Sequence, residues 1–285
     1  MATARLILER GRWSVSAVAR ALRLSRSHLS SHRFPTEPRG KADVSPKDAP
    51  IVERIRDLVA RRGSYGYRRV TALLNRQDAA APLNHKRIYR VMRDGGLLLP
   101  RYTGRVSRAH DGKVITPKSD MRWCSDGFEI RCWDGERVHV AFALDCCDRE
   151  IIAWGAKPAH LLGQDIRDLM AQSIEARFGA GTTRVTHPVE WLSDNGPPYT
   201  ANETREFGRD SGLLVCTTPS YSPESNGMGE AFVKTFKRDY VYLAELHTAD
   251  VVLRAIGAWF DDYNDHHPLS GLGMRSPRQF RAHAA

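Results

Sequence analysis

The sequence has no apolar run approaching the roughly 18 residues that a membrane-spanning helix needs. Its opening, MATARLILERGRW, lacks the long apolar stretch and small-residue cleavage site of a secretory signal. A soluble cytoplasmic protein is expected, nucleoid-associated if its partner is DNA. CxxC spacing is absent as well. The five cysteines (Cys124, Cys132, Cys146, Cys147 and Cys216) are an odd number in no metal-ligand pattern. They support neither a zinc site nor a disulfide framework, and reduced, mostly buried thiols are expected. If Cys146 and Cys147 lie on a strand, they point to opposite faces. No internal repeat or low-complexity segment is visible. The chain does contain enough apolar material for a substantial core: 41% of 285 residues, in one large domain with a smaller companion or in two modest ones.

Charge is unevenly distributed along the chain. Residues 1–110 hold 24 Lys and Arg against 8 Asp and Glu, a balance of +16, and residues 111–285 hold 19 against 25, a balance of −6. A basic front suits a polyanion, and the mildly acidic rear suits some other task.

Two helical units are expected in the front. In residues 14–33, Val15, Val18, Ala19 and Leu22 recur at helical spacing, and Ser25 can cap a second helix that carries Arg26 and His28 outward. A helix-turn-helix reader has this form, with a small apolar inner face and a basic outer one; an ordinary helical hairpin is the alternative. Residues 34–50, with four prolines, read as a linker. A second unit spans 51–99. Val52, Ile55, Leu58 and Val59 form one amphipathic stripe, Tyr65-Gly66-Tyr67-Arg68-Arg69 opens another helix, and Asn84 can cap a third that stops at Gly95-Gly96. Arg68, Arg69, Lys86, Arg87 and Arg90 are its candidate DNA contacts, although a packing helix with a solvated basic side would have the same pattern. Residues 100–120 are a polar, basic linker.

From about residue 121 the pattern changes. RWCSDGFEI, RVHVAFALD and REIIAWGA read as three consecutive strands. Helices near 163–178 and 202–211 then alternate with strands PVEWLSD and LLVCTT, and helices follow at about 224–241 and 248–265. A mixed sheet with flanking helices is expected over 121–285. Within it, Asp126 falls in the middle of an apolar strand, where a carboxylate is costly unless a cation or partner meets it. Asp194 ends a strand and begins the turn Asp194-Asn195-Gly196, at a sheet end. Glu230 lies on a helix that Ser222 can cap. It shares a face with Asn226, Lys234 and Lys237, while Phe232, Phe236 and Tyr240 line the other side. Singly, these residues read as a buried polar group, a turn and a surface ion pair.

Together they resemble the two-aspartate, one-glutamate signature of the retroviral-integrase and bacterial transposase superfamily. Thirty-five residues lie between Asp194 and Glu230, as in that signature, and Lys237 stands at its basic position seven residues after the glutamate. Ser64 to Arg69, Trp123-Cys124-Ser125-Asp126, Ser193 to Gly196, Ser222 to Gly227, Tyr263-Asn264, His267-Pro268 and Ser276-Pro277 narrow the match. They resemble the second-reading-frame (OrfB) transposase of the insertion-sequence-three family, insertion-sequence-two branch, over nearly the whole chain. Gly229, Gly271 and Met274 depart from the family's pattern without touching a carboxylate.

The resemblance implies a ribonuclease-H-like α/β catalytic domain with a mixed five-stranded sheet, preceded by all-α helix-turn-helix units. It further implies a transposase that cleaves DNA 3′ ends and transfers strands using two Mg²⁺ or Mn²⁺ ions. Asp126 would be shared between the ions, and Asp194 and Glu230 would each complete one site. Hard oxygen donors suit such ions, which stabilise the charge gathered on a phosphoryl group in exchange. Lys234 and Lys237 would hold DNA phosphates. DNA ends and target are the implied partners, along with a homo-oligomer on DNA and an upstream OrfA protein or frame-shifted fusion. The competing readings are a purely hydrolytic nuclease, a glycosidase with paired carboxylates, and a non-catalytic DNA-binding regulator or inactive transposase fragment.

Overall fold

The computed structural model describes residues 46–100, 116–217 and 227–284, and, nearer the start, residues 7, 11, 13–22, 25 and 26. The first expected helix is present as α1, Val15–Ala21. Ser14 caps it by accepting from the Ala17 N–H at 3.2 Å, and Val18 and Ala19 are buried. The second helix of that unit, with His28, lies outside the described residues.

The second helical unit packs three helices around one small core. After a 3-10 turn at Pro46–Asp48 come α2 (Ala49–Arg61), α3 (Tyr67–Gln77) and α4 (His85–Asp94). Helical order therefore starts slightly earlier than the proline content suggested, because Pro50 falls in the first turn, where its missing N–H costs nothing. Ile55, Val70, Leu74, Ile88 and Met92 are almost fully buried together. Asn84 caps α4 by accepting from the Lys86 N–H at 2.8 Å, and Gly95 and Gly96 end the helix.

The rear unit is a five-stranded sheet in the order β3-β2-β1-β4-β5. Strands β1 (Arg122–Arg131), β2 (Arg137–Asp145) and β3 (Ile151–Lys157) form an antiparallel meander. Helix α5 (Gly163–Phe178) crosses to β4 (Val189–Ser193), which lies parallel to β1. Short α6 (Pro197–Thr200) and α7 (Asn202–Asp210) then lead to β5 (Leu213–Thr217), parallel to β4. Helices α8 (Gly227–Asp239), α9 (Ala249–His266) and α10 (Pro277–Ala284) complete the chain. This is the expected ribonuclease-H-like arrangement of a mixed sheet with flanking helices. Cys146 and Cys147 belong to the turn after β2 rather than to a strand, so the opposite-face expectation does not apply to them. All five thiols are free.

Alternation along the strands gives the sheet two apolar faces. One carries Trp123, Ala141, Ala143 and Trp191 against Ile166, Leu169, Met170 and Ile174 of α5. The other carries Cys124, Phe128, Phe142 and Leu144 against Phe232 and Phe236 of α8 and Ile256 and Phe260 of α9. Phe232 lies 4.6 Å from Phe142 and Phe236 lies 4.6 Å from Phe260, ring centre to ring centre. Such aromatic pairs contribute about 0.5–1.5 kcal/mol each beyond area burial. The packing fixes α8 over β1 and so determines where the first turn of α8 falls.

Candidate functional site

Asp126 lies on β1 between Cys124 and Phe128, so the strand's period of two directs it toward the face that α8 covers. Strand β4 runs parallel beside β1 with Cys124 opposite Leu192. Two residues further along each strand, the same register brings Asp126 level with Asp194, just past the end of β4. Glu230 lies in the first turn of α8. Three elements distant in sequence therefore bring one acidic group each to a single corner of the sheet.

The electrostatics show that these groups sense each other. Burial, with the charges of Asp194 and Glu230 acting in the same direction, pushes the Asp126 carboxyl up to about 6. The Gly127 N–H, which donates to Asp126 Oδ1 at 2.8 Å, opposes the rise. Asp194 is exposed and accepts the Gly196 N–H at 3.0 Å, which forms the expected turn. A Cβ on residue 196 would stand 3.0 Å from Asp194 Oδ1, so glycine suits the close approach. Glu230 Oε2 is 3.3 Å from Lys234 Nζ. Among the described residues, no three His, Cys, Asp or Glu side chains are gathered tightly enough to form a metal-binding group. The trio shares a corner without closing into a cage. Its donor set, carboxylate oxygens only, is that of a hard divalent cation, and such a cation would relieve the repulsion that raises Asp126.

Beneath this corner, the buried Ser125 hydroxyl and the Tyr199 hydroxyl meet at 3.0 Å. This ties α6, which follows Asp194, to β1. Burial raises the Tyr199 phenol well above its usual range, and the charges of Asp126 and Asp194 add to the rise. In the sequence Ser125 stands out only as part of the Trp123-Cys124-Ser125-Asp126 motif, and Tyr199 not at all. Pro197-Pro198-Tyr199 reads as an extension of the turn, and contact with Ser125 depends on a pairing 74 positions away.

The candidate DNA contacts fall into two groups. Arg26, Arg68, Lys86, Arg90 and Lys234 are exposed. Lys237 is partly covered, its Nζ 5.5 Å from the Phe128 ring centre. Arg87 donates to Asp48 Oδ1 at 2.6 and 2.8 Å, which ties α4 to the turn before α2, and Arg90 approaches the same carboxylate at 3.5 Å. Arg69, expected on an open basic face, lies instead in a seam between the helical unit and the rear unit. There it donates to the fully buried Asp239 of α8 at 2.9 Å.

That seam is built from residues whose roles the sequence did not reveal. Arg62 grips Asp262 of α9 through both terminal nitrogens. The Tyr65 hydroxyl is 2.8 Å from Nδ1 of the buried His267, and Arg238 reaches Asp239 at 2.6 Å. Arg76 donates to the carbonyls of His266 and Met274 at 2.9 and 2.7 Å. Burial pushes the His267 imidazole down to about 3, and the charge of Arg69 pushes the same way. His267 is therefore neutral, with its Nδ1 beside the Tyr65 hydroxyl and its Nε2 facing Asp239 Oδ2, 3.6 Å away. Burial alone would raise Asp239, but Arg238 and Arg69 hold it below the usual carboxylate range.

The described sheet and its acidic corner define a polynucleotidyl-transferase type of core. An integrase core domain matches residues 117–223, a second integrase core domain model matches 213–277, and an HTH-like domain matches 46–105. The chain belongs to the family of InsD transposases of insertion element IS2. It is 43% identical over 287 residues to the transposase of IS2A/D/F/H/I/K from Escherichia coli, covering 98% of this chain and 94% of that one. The transposase of IS2-9 from Escherichia coli strain K12 is 43% identical over 285 residues, with 98% and 92% covered. Among solved structures, a simian T-cell lymphotropic virus intasome aligns at TM-score 0.47 and 14% identity, covering 74% of each chain. The BIV integrase catalytic core aligns at 0.40 and 19%, covering 58% of this chain and 95% of that one. The family assignment rests on the sequence match alone. Among the described residues, no helix is long and apolar enough to cross a membrane.

Proposed function

We propose that this transposase cuts DNA at the ends of its element and joins the freed ends to new DNA, with Asp126, Asp194 and Glu230 as its catalytic carboxylates. The observation that carries the reading is the corner itself. Three carboxyl groups from β1, the end of β4 and the first turn of α8 converge, and Asp126 is raised by burial and by the other two. A site that concentrates negative charge in this way is suited to divalent cations. Mg²⁺ or Mn²⁺ held by Asp126, Asp194 and Glu230 would supply electrophilic stabilisation of the charge on a phosphoryl group.

The chemistry consists of two exchanges at phosphorus. In the first, water attacks a phosphodiester at the element's end. A P–O bond forms to the water oxygen and the P–O3′ bond breaks, which leaves a 3′-OH on the element. In the second, that 3′-OH attacks a phosphodiester of another DNA, and one P–O bond again replaces another. No nucleotide triphosphate is consumed, because the number of phosphodiester bonds does not change in the joining step. The chain's own part is to bring the carboxylates to one point and to hold DNA beside them. Lys234 and Lys237, one and two turns beyond Glu230 on α8, are suited to the phosphates flanking the reacting one. Assembly as a homo-oligomer on paired DNA ends, with an upstream OrfA protein or as a frame-shifted fusion, belongs to the same reading.

The test is strand joining with labelled element-end DNA and Mn²⁺, comparing wild type with Asp194→Asn. Joined product from wild type alone supports the reading. Cleavage without joining in wild type favours a hydrolytic nuclease or a missing partner protein. DNA binding with neither reaction favours a regulator or an inactive fragment. Joining retained in Asp194→Asn removes Asp194 from the catalytic set.

A further inference from the structure

A second site adjoins the seam, sharing Arg76 with it. There α3, the start of α4 and the strap that follows α9 enclose an open cleft of about 550 Å³, lined by Arg68, Arg76, His85 and Arg275 among others. No carboxylate is among its described lining residues. The contrast with the adjacent seam is chemical: Arg62 and Arg69 are each bound to an aspartate, whereas the three cleft arginines have no acidic partner among the described residues. Among the described residues Arg68 donates only to the Tyr67 hydroxyl, at 3.1 Å, and it is exposed. Arg76 is half-buried and donates to two backbone carbonyls of the strap. Arg275 is exposed and has no side-chain partner among the described residues.

The strap is held in shape. Leu269 and Arg275 pair as an isolated bridge, with the Leu269 N–H donating to the Arg275 carbonyl at 3.0 Å. Gly273 and the non-glycine Met274 both adopt positive φ, at 63° and 65°, which turns the chain so that Arg275 lines the cleft. On the opposite wall, the N-terminus of the ten-residue α4 begins at His85, and its dipole favours negative charge. Arginine forks and a helix N-terminus suit phosphate oxygens, and an open cleft suits a continuous backbone better than an isolated anion.

We infer that this cleft holds the sugar-phosphate backbone of a DNA duplex, gripped by Arg68 from the helical unit and by Arg275 from the catalytic unit. The inference rests on the reading that the protein acts on DNA and adds to it a site to which both units contribute. Arg76 acts as a positioning residue that fixes the strap, and Arg68 and Arg275 make the contact.

The test is equilibrium binding of the full-length chain to a fluorescein-labelled duplex carrying the element's end, and to a scrambled duplex of equal length, across a salt series. Each phosphate contact adds about 0.9 to the slope of log affinity against log salt. Arg68→Gln with Arg275→Gln should lower that slope by roughly 1.8 and weaken both duplexes alike, by at least about tenfold at fixed salt. A control that removes the same charge elsewhere, Arg209→Gln with Arg254→Gln, should leave the slope near the wild-type value. Ala72→Glu, which places a carboxylate one helical turn from both Arg68 and Arg76, should weaken binding in the otherwise wild-type chain and have a smaller effect in the arginine variant. An unchanged slope in the cleft variants, or an equal fall in the control, overturns the site while leaving the DNA reading intact. A wild-type chain that binds neither duplex overturns both.

Discussion

Removing Arg69 tests whether the seam is an energetic unit or only a line of contact. Asp239 is fully buried, with Arg69 at 2.9 Å and Arg238 at 2.6 Å. Breaking a buried ion pair by deleting one partner costs about 3–5 kcal/mol, because the remaining charge stays buried. Arg238 remains in the Arg69→Gln variant and Arg69 is itself 21% exposed, so about 2–3 kcal/mol is expected there. Asp239→Asn leaves two guanidiniums facing a neutral amide and should cost about 3 kcal/mol. The double variant removes both the charge and its partner, so its loss should fall short of the sum by at least about 1 kcal/mol. Urea unfolding followed by tryptophan fluorescence measures all three variants, since Trp123 and Trp191 are fully buried in the sheet core. Losses that add to within about 0.5 kcal/mol would refute the argument, because residues in direct contact with a shared partner do not behave independently.

Two further outcomes follow from buried polar groups. His267 is held down to about 3 in the folded chain and returns to about 6.5 when unfolded. Between those values the unfolded state binds the extra proton, so stability falls as pH drops through that window, by up to about 1.4 kcal/mol per pH unit, and is unaffected above it. His267→Gln should flatten the dependence, and parallel wild-type and variant curves below pH about 6 would disprove this source. Asn264 donates to the Ile151 carbonyl and accepts the Ile151 N–H, both at 2.9 Å in a buried position. Asn264→Ala should cost about 2–4 kcal/mol and speed amide exchange at Ile151; unchanged exchange there would contradict the assignment.

Much of this architecture is legible in the sequence because the relevant patterns are local. The apolar run in Arg137–Asp145, the Asn84 cap and the aromatic stripe of α8 each lie within a few residues, and each is found where the pattern puts it. The acidic corner was legible for a different reason, since the spacing between Asp194 and Glu230 matches a known signature. The seam was not legible. Tyr65 and His267 are 202 positions apart and Arg69 and Asp239 are 170 apart, and nothing in their immediate neighbours encodes the pairing. Arg69, read locally, resembles any basic residue on an amphipathic helix. The motif that contains Tyr65 and Arg69 and the one that contains His267 resembled the family's without a visible purpose. The fold supplies one: they are opposite halves of a single contact. Helices α6 and α10 were also not expected, because the prolines at their first turns read as loop punctuation when no periodic apolar run follows.

Helix α8 carries Glu230 in its first turn and Asp239 at its last residue, a separation of about 13 Å along the axis. The same helix therefore carries a carboxylate of the acidic corner near one end and the anchor of the helical unit at the other. This limits how such proteins can be recombined. A chimaera given a foreign helical unit without an arginine at the position of Arg69 would leave Asp239 short of one of its partners at the far end of the Glu230 helix. Exchange of helical units between relatives is thus constrained by four side chains, Arg62, Tyr65, Arg69 and Arg76. A graft that carries all four across should leave the acidic corner in place, and one that does not would disturb it from a distance.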